Sequence, residues 1–200
     1  MKNKTTYIIL FILVVIAQWF VPMQMITEQE DVIATGKTLK FKTAPIDPYD
    51  AFRGKYIFLN FENNRVLATA ETKKLNFNDE IFVTFKDSAG YALIQSVAIT
   101  EPTTTSDYIK AKVDYVDNSI FVGNLDFDRG NSGIFLHINY PFERYYMNEN
   151  KAKQAEKAYS IASRDLKENV YAEVAIKNGV GVIKDVFIDK IPIKEYVKKK

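Results

Sequence analysis

Ile81-Phe82-Val83-Thr84-Phe85-Lys86-Asp87-Ser88-Ala89-Gly90-Tyr91-Ala92-Leu93-Ile94-Gln95-Ser96-Val97-Ala98-Ile99-Thr100 is the stretch that sets the fold class. Its first five residues are aromatic and branched, with the polar Thr84 in an alternate position, as in a half-buried strand. Asp87-Ser88-Ala89-Gly90 is turn chemistry, and another strand-like run follows from Tyr91. The stretch predicts a β-hairpin. A second hairpin is predicted at Val170 to Ile176, a turn at Lys177-Asn178-Gly179, and Val180 to Ile188.

The two hairpins overlay without a gap. Ile81-Phe82-Val83-Thr84-Phe85 falls on Val170-Tyr171-Ala172-Glu173-Val174, Gly90 on Gly179, Leu93-Ile94 on Val182-Ile183, Val97 on Val186 and Ile99 on Ile188. Each ends near a proline, Pro102 and Pro192. The preceding strands echo each other too: Ile57-Phe58-Leu59-Asn60-Phe61 resembles Ile134-Phe135-Leu136 followed by Asn139-Tyr140. Two readings stand. One is an internal duplication; the other is the period of two that any pair of hairpins shares.

Working outward, Leu39 and Phe41 alternate with Lys40 and Lys42, a further strand. Strands are also predicted from Ile109 to Tyr115, from Ser119 to Val122, and from Gly133 to Tyr140. One soluble helix is expected over residues 148–166, with Ala152, Ala155, Ala158 and Tyr159 on one side. The expected fold is mainly β. An N-terminal transmembrane helix leads into a β-rich exported domain, with that one helix in its second half. The expected boundaries are a stub and anchor over 1–24, a stem over 25–35, a first β unit over 36–102, a linker over 103–107, a second β unit over 108–193 and a basic tail over 194–200.

The anchor is read from Lys2 and Lys4, the apolar run from Tyr7 to Ala17, and its continuation through Trp19, Phe20, Val21, Pro22 and Met23. About 17–20 residues cross the hydrocarbon core. A cleaved signal peptide needs small residues after the apolar run. Gln18-Trp19-Phe20-Val21-Pro22-Met23 offers none, so an uncleaved anchor through residues 7–23 is the preferred reading. Lysines before the run and Glu28, Glu30 and Asp31 after it place the N-terminus in the cytoplasm and the bulk outside. The expected location is a bacterial cytoplasmic membrane, crossed once.

Composition narrows the chemistry. The chain has 200 residues, 27 Lys plus Arg against 25 Asp plus Glu, one His and no Cys. Absence of cysteine excludes disulfides, thiol nucleophiles and zinc or iron–sulfur sites built on thiolates. No cofactor or metal motif is present. Asp126-Phe127-Asp128-Arg129-Gly130-Asn131 suggests a calcium loop but puts Gly130 fifth and His137 twelfth, where an EF-hand needs Gly sixth and Glu twelfth. The near-neutral charge gives no footing for a nucleic-acid partner. His137 sits in an apolar strand and reads as structural.

The densest polar cluster is Asp47-Pro48-Tyr49-Asp50-Ala51-Phe52-Arg53-Gly54-Lys55-Tyr56. An arginine among carboxylates makes either an anion clamp or an ion pair that ties a loop down; the structural reading is preferred. Asp47-Pro48, Arg53-Gly54, Tyr56 and Leu59 resemble the signature of the GDYXXLXY family, Gly-Asp-Tyr-x-x-Leu-x-Tyr. Here it stands as Gly54-Lys55-Tyr56-Ile57-Phe58-Leu59-Asn60-Phe61, with Lys55 in place of the acid and Phe61 in place of the last tyrosine. Glu143-Arg144-Tyr145-Tyr146-Met147-Asn148-Glu149 is similar to the family's Arg-aromatic-aromatic segment with a nearby Glu before a helix. The resemblance implies a bacterial protein with an N-terminal membrane segment and supplies no activity. Asp47, Asp50, Arg53, Gly54, Tyr56, Leu59, Arg144, Tyr145 and Glu149 are therefore the candidate binding or structural residues. No catalytic residue is assigned.

Two functions remain in view. The first is a non-enzymatic membrane-tethered module that binds or supports another envelope protein. The alternative is an envelope hydrolase, acting on peptidoglycan or peptide through carboxylates such as Asp47, Asp50, Glu149 or Glu156.

Overall fold

The computed structural model describes residues 2–45, 56–117, 133–165 and 169–198. In chain order the elements are helix α1 (Lys2–Thr35), strands β1 (Lys37–Ala44), β2 (Tyr56–Phe58), β3 (Asn60–Phe61) and β4 (Arg65–Leu67), a 3-10 turn at Thr72–Lys74, then β5 (Glu80–Ser88), β6 (Tyr91–Ala98), β7 (Tyr108–Asp117), β8 (Phe135–Asn139) and β9 (Arg144–Tyr146). Helix α2 (Glu149–Ala162), strands β10 (Val170–Lys177), β11 (Val180–Ile188) and β12 (Ile191–Pro192), and helix α3 (Ile193–Tyr196) complete the chain. The fold is β-rich with a long apolar N-terminal helix, as expected. The expected turn at Asp47-Pro48, the strand at Ser119–Val122 and the loop at Asp126–Asn131 lie outside the described residues.

Helix α1 spans 34 residues, about 51 Å at 1.5 Å per residue. It is long and apolar enough to cross a membrane, and none of its apolar window is buried. The last two turns dock on the β body. Val32 is buried there, and Lys177 Nζ donates to Asp31 Oδ2 at 2.7 Å and to Thr35 Oγ1 at 2.8 Å. The helix stops at Gly36, whose N–H donates to the Val32 carbonyl at 2.9 Å. A Cβ at Gly36 would lie 2.5 Å from that oxygen and 2.9 Å from the Ile176 carbonyl oxygen. Only glycine lets the chain turn from helix to strand so close to β10.

Two five-stranded sheets form the body, ordered β12-β11-β10-β1-β3 and β4-β8-β7-β5-β6; β2 and β9 make a separate two-stranded ribbon. Both predicted hairpins are present, with the turn residues at positive φ: Ala89 (53°) and Gly90 (85°), Asn178 (48°) and Gly179 (84°). Two successive residues in the left-handed region make the tight hairpin turn whose twist suits the flanking strands. The pairing also agrees position for position. Thr84 faces Ser96, and Phe85 faces Ile94 after a bulge. Glu173 faces Asp185, and Val174 faces Ile183 after a bulge at the matching place. Ile81, Val83 and Phe85 are buried, as are Val170, Ala172 and Val174.

Each hairpin takes its third strand from the other half of the chain. β10 pairs with β1, Phe41 opposite Ala172. β5 pairs with β7, Ile109 opposite Val83. Beyond these, Ala44 faces Asn60 and Lys112 faces Asn139. Two further pairs also cross the halves: β2 with β9, Tyr56 opposite Tyr146, and β8 with β4, Phe135 opposite Leu67. Even the flanking backbone bonds correspond, Leu59 N–H to the Glu143 carbonyl and Ile138 N–H to the Asn64 carbonyl, both at 2.7 Å.

The core is where the halves meet. Phe41 lies edge-on to Phe61 (5.7 Å), Phe85 (5.1 Å), Tyr140 (5.9 Å) and Phe142 (5.4 Å). Edge-to-face packing suits the ring quadrupoles and adds to the burial of apolar area. Helix α2 is capped by Asn148, whose side chain accepts from the Asn150 N–H at 3.0 Å. Of the face read from the sequence, Ala152, Ala155 and Tyr159 are buried and Ala158 is partly buried; Ala162, not in that reading, is buried as well. Burial pushes the Tyr159 phenol up to about 12.

Candidate functional site

The two segments singled out in the sequence meet as strands. β2 carries Tyr56 from the first, β9 carries Arg144 and Tyr145 from the second, and they pair as Tyr56–Tyr146, Ile57–Tyr145 and Phe58–Arg144. Side chains alternate along a strand. Ile57 and Tyr145 therefore point into the body, where they are 0% and 4% exposed, while Tyr56, Arg144 and Tyr146 share the other face. On that face the Arg144 guanidinium lies 5.1 Å from the Tyr56 ring, and the Tyr56 and Tyr146 rings are 5.6 Å apart. The Arg144 guanidinium donates a hydrogen bond to the Tyr146 side chain, and that bond, with the Tyr56 ring beside it, pushes its pKa above the usual range.

Leu59, the signature's aliphatic residue, is 1% exposed in the core. Phe61, in the position of the signature's last tyrosine, is part of the aromatic cluster around Phe41. Tyr145 donates to Asp185 Oδ1 at 2.6 Å; burial, then that acceptor, pushes its phenol far up. Lys194 Nζ sits 5.3 Å from the Tyr145 ring. The structure thus brings Tyr56, Leu59, Arg144 and Tyr145 together in one ribbon and the core beneath it. Glu149 is the first residue of α2, and its side chain lies outside the described residues, as do Asp47, Asp50, Arg53 and Gly54.

Glu143 was not among the sequence candidates. It is half-buried, and burial raises its carboxyl, with the charge of Asp114 adding to the effect and Arg144 opposing it. It lines an open hollow of about 360 Å³ with Tyr140, Phe142, Arg144 and Tyr146. Tyr146, Asp185, Lys184 and Lys194 were also missed. Tyr146 had a signal: two residues after Arg144 in a strand, it must share that residue's face. The other three are placed by tertiary contact alone. His137 lies in β8 with its ring stacked on Tyr115 at 3.9 Å. Burial, then Arg65, pushes its pKa down, which fits a structural role.

No curated protein and no solved structure matches the chain. A family model described as GDYXXLXY protein matches residues 18–186. That span starts inside α1, includes the Tyr56 and Arg144 segments and ends in β11. The chain belongs to the GDYXXLXY family.

Proposed function

We propose that the protein is a single-pass protein of the bacterial cytoplasmic membrane, with its N-terminus in the cytoplasm and its β body outside, serving to bind or support another envelope protein. The observation that carries this is α1. Its apolar stretch meets no protein, and the same unbroken helix ends in a docked stem against β10 and β11. A soluble protein would pay heavily to leave that surface in water; a bilayer removes the cost. Support for a non-enzymatic role comes from the signature itself. Leu59 and Ile57 are buried and Tyr56 is packed against Arg144 and Tyr146, so these residues serve the fold. The matching registers of the two halves support an internal duplication with exchanged strands as the origin of that fold. Asp47, Asp50 and Arg53, which precede β2 in the sequence, remain candidate binding or structural residues.

The test is alkaline carbonate extraction combined with a C-terminal reporter active only outside the cytoplasm. The expected result is retention in the membrane pellet with an active reporter. Release by carbonate, or an inactive reporter in a stably made fusion, overturns the anchor or the orientation respectively. A pull-down from solubilised membranes with wild type and Arg53→Ala then tests Arg53 as a binding residue.

One observation favours the hydrolase reading: Glu143 combines a raised carboxyl with an open hollow and a second acid, Asp114, close enough to act on it. Turnover of peptidoglycan or peptide that disappears in Glu143→Gln would establish that reading in place of the first.

A further inference from the structure

Around the stem of α1 the body presents cations that form no ion pair with a carboxylate among the described residues. Some lysines of the body are paired: Lys177 with Asp31 at 2.7 Å, Lys110 with Glu80 at 2.8 Å, Lys37 with Asp107 at 3.2 Å. Arg144, Lys184 and Lys194 differ. Arg144 and Lys194 lie over tyrosine rings, and Lys184 Nζ is 3.4 Å from the Thr38 hydroxyl. Among the described residues none of the three is within ion-pair distance of an acid. All three line one hollow of about 380 Å³, together with Gln29 of α1, Tyr145 and Tyr146. A second hollow of about 400 Å³ on the same side of the stem also includes Gln29, with Lys110 and Lys112.

Nearby acids lower this charge but form no ion pair with it. Asp185 accepts from the Tyr145 hydroxyl and from the Val186 N–H, and Glu143 acts on Arg144 through its charge without reaching ion-pair distance. Glu28 and Glu30 flank Gln29 on α1, but each projects about 100° around the helix from it. Glu195 follows Lys194 on α3 and is exposed.

Depth decides what the hollow meets. Gln29 lies six residues after Met23, where the anchor read from the sequence ends, and three after Ile26, the last apolar residue before Thr27 and Glu28, about 9 Å and about 5 Å along the helix axis. The headgroup layer of a bilayer reaches about 5–8 Å beyond the hydrocarbon on each side. With α1 in a membrane, Gln29 and the hollow it lines stand at the level of the lipid phosphates.

We propose that the hollow between the α1 stem and β9, β11 and α3 seats the headgroups of anionic phospholipids, with Arg144, Lys184 and Lys194 as their contacts. This rests on the anchoring reading but not on orientation, since either leaflet would face the same cations. Held this way, the body is fixed against the bilayer rather than swinging on its helix.

The experiment uses the full chain reconstituted in vesicles of phosphatidylcholine mixed with phosphatidylglycerol, followed by mild extraction and mass spectrometry of the lipids that stay bound. Wild type should be enriched in phosphatidylglycerol over the vesicle ratio. Lys184→Gln with Lys194→Gln should lower the enrichment, and adding Arg144→Gln should abolish it, at about fivefold per cation near a charged surface. These side chains are exposed, so the double variant keeps the wild-type melting temperature. Wild type without enrichment, or variants that keep it, overturns the proposal. So does a wild type stabilised by inorganic phosphate but not by phosphatidylglycerol, which would assign the hollow to a soluble anion. Carbonate extraction of the same vesicles separates the two readings: release of wild type removes the anchor and this proposal with it, whereas retention without enrichment removes this proposal alone.

Discussion

The hairpins β5–β6 and β10–β11 share turn, bulge and register, yet they are buried differently. On β5 one face is closed: Ile81, Val83 and Phe85 are buried while Lys86 is exposed. On β10 both faces are closed, with Tyr171 and Ala175 buried as well as Val170, Ala172, Val174 and Ile176. The cause lies outside the hairpins. Tyr171 stacks on Phe187 at 5.1 Å and meets Tyr91 at 6.0 Å, and the stem of α1 docks at the far end of β10. Local sequence makes the hairpin; its surroundings decide how much of it sees water.

A finer difference sits at matched positions beside the turns. Ala92 on β6 has its carbonyl taken by the Asn63 side chain at 2.8 Å. Gly181, its counterpart on β11, faces Phe142, and a Cβ there would lie 2.6 Å from that ring. Where one half places a small amide, the other places a ring and must give up a methyl. The turns differ too. A Cβ on Gly90 would meet nothing within 4 Å, whereas one on Gly179 would lie 3.1 Å from the Tyr108 ring. The Asn178-Gly179 turn is tied to β7, Gly179 N–H donating to the Tyr108 carbonyl at 3.0 Å and Lys110 N–H to the Gly179 carbonyl at 2.8 Å.

The largest effect should come from the residue that serves both halves. Phe41→Ala removes a ring touching four others and should cost about 3–5 kcal/mol, read by denaturant unfolding in detergent. A cost below that of an ordinary exposed substitution would break the shared-core account. Next, Gly181→Ala should cost about 1–3 kcal/mol, because the Phe142 ring must move in a packed core. Gly179→Ala and Gly90→Ala both force alanine to positive φ, about 1–2 kcal/mol each; Gly179→Ala should cost more, since its methyl also presses on Tyr108. Equal costs would show that the two turns share one environment. The smallest effect is electrostatic. Glu143 has a folded-state pKa above the ordinary 4.5, so its contribution is complete below that pH and is lost as pH rises through the raised value. Glu143→Gln should flatten this part of a melting-temperature profile; an unchanged slope would remove Glu143 as its source.

Much of the architecture was legible because it is local. Asn178-Gly179 is a strong hairpin signal. The stripe of three alanines and a tyrosine gave most of the buried face of α2. β4 and β9 have three residues each, too few for a period to show. The exchange of strands between halves leaves no local trace, because nothing near Phe41 names Ala172 as its neighbour. For the same reason the sequence offered Arg144 and Tyr56 as separate candidates, and their contact had to come from the pairing of β2 with β9.

The central claim, that the family signature works as an exchanged strand, can be tested by cross-linking in this cysteine-free chain. Paired residues on antiparallel strands have Cα atoms about 4.5–5.5 Å apart, within the range a disulfide spans. Tyr56→Cys with Tyr146→Cys should oxidise to an intramolecular disulfide, and so should the matching pair Leu67→Cys with Phe135→Cys. Tyr56→Cys with Leu67→Cys, which lie within the first half and are not paired, should not. Both exchanged pairs closing in the folded protein is the predicted result. Failure of both, or closure of the within-half pair instead, would contradict it.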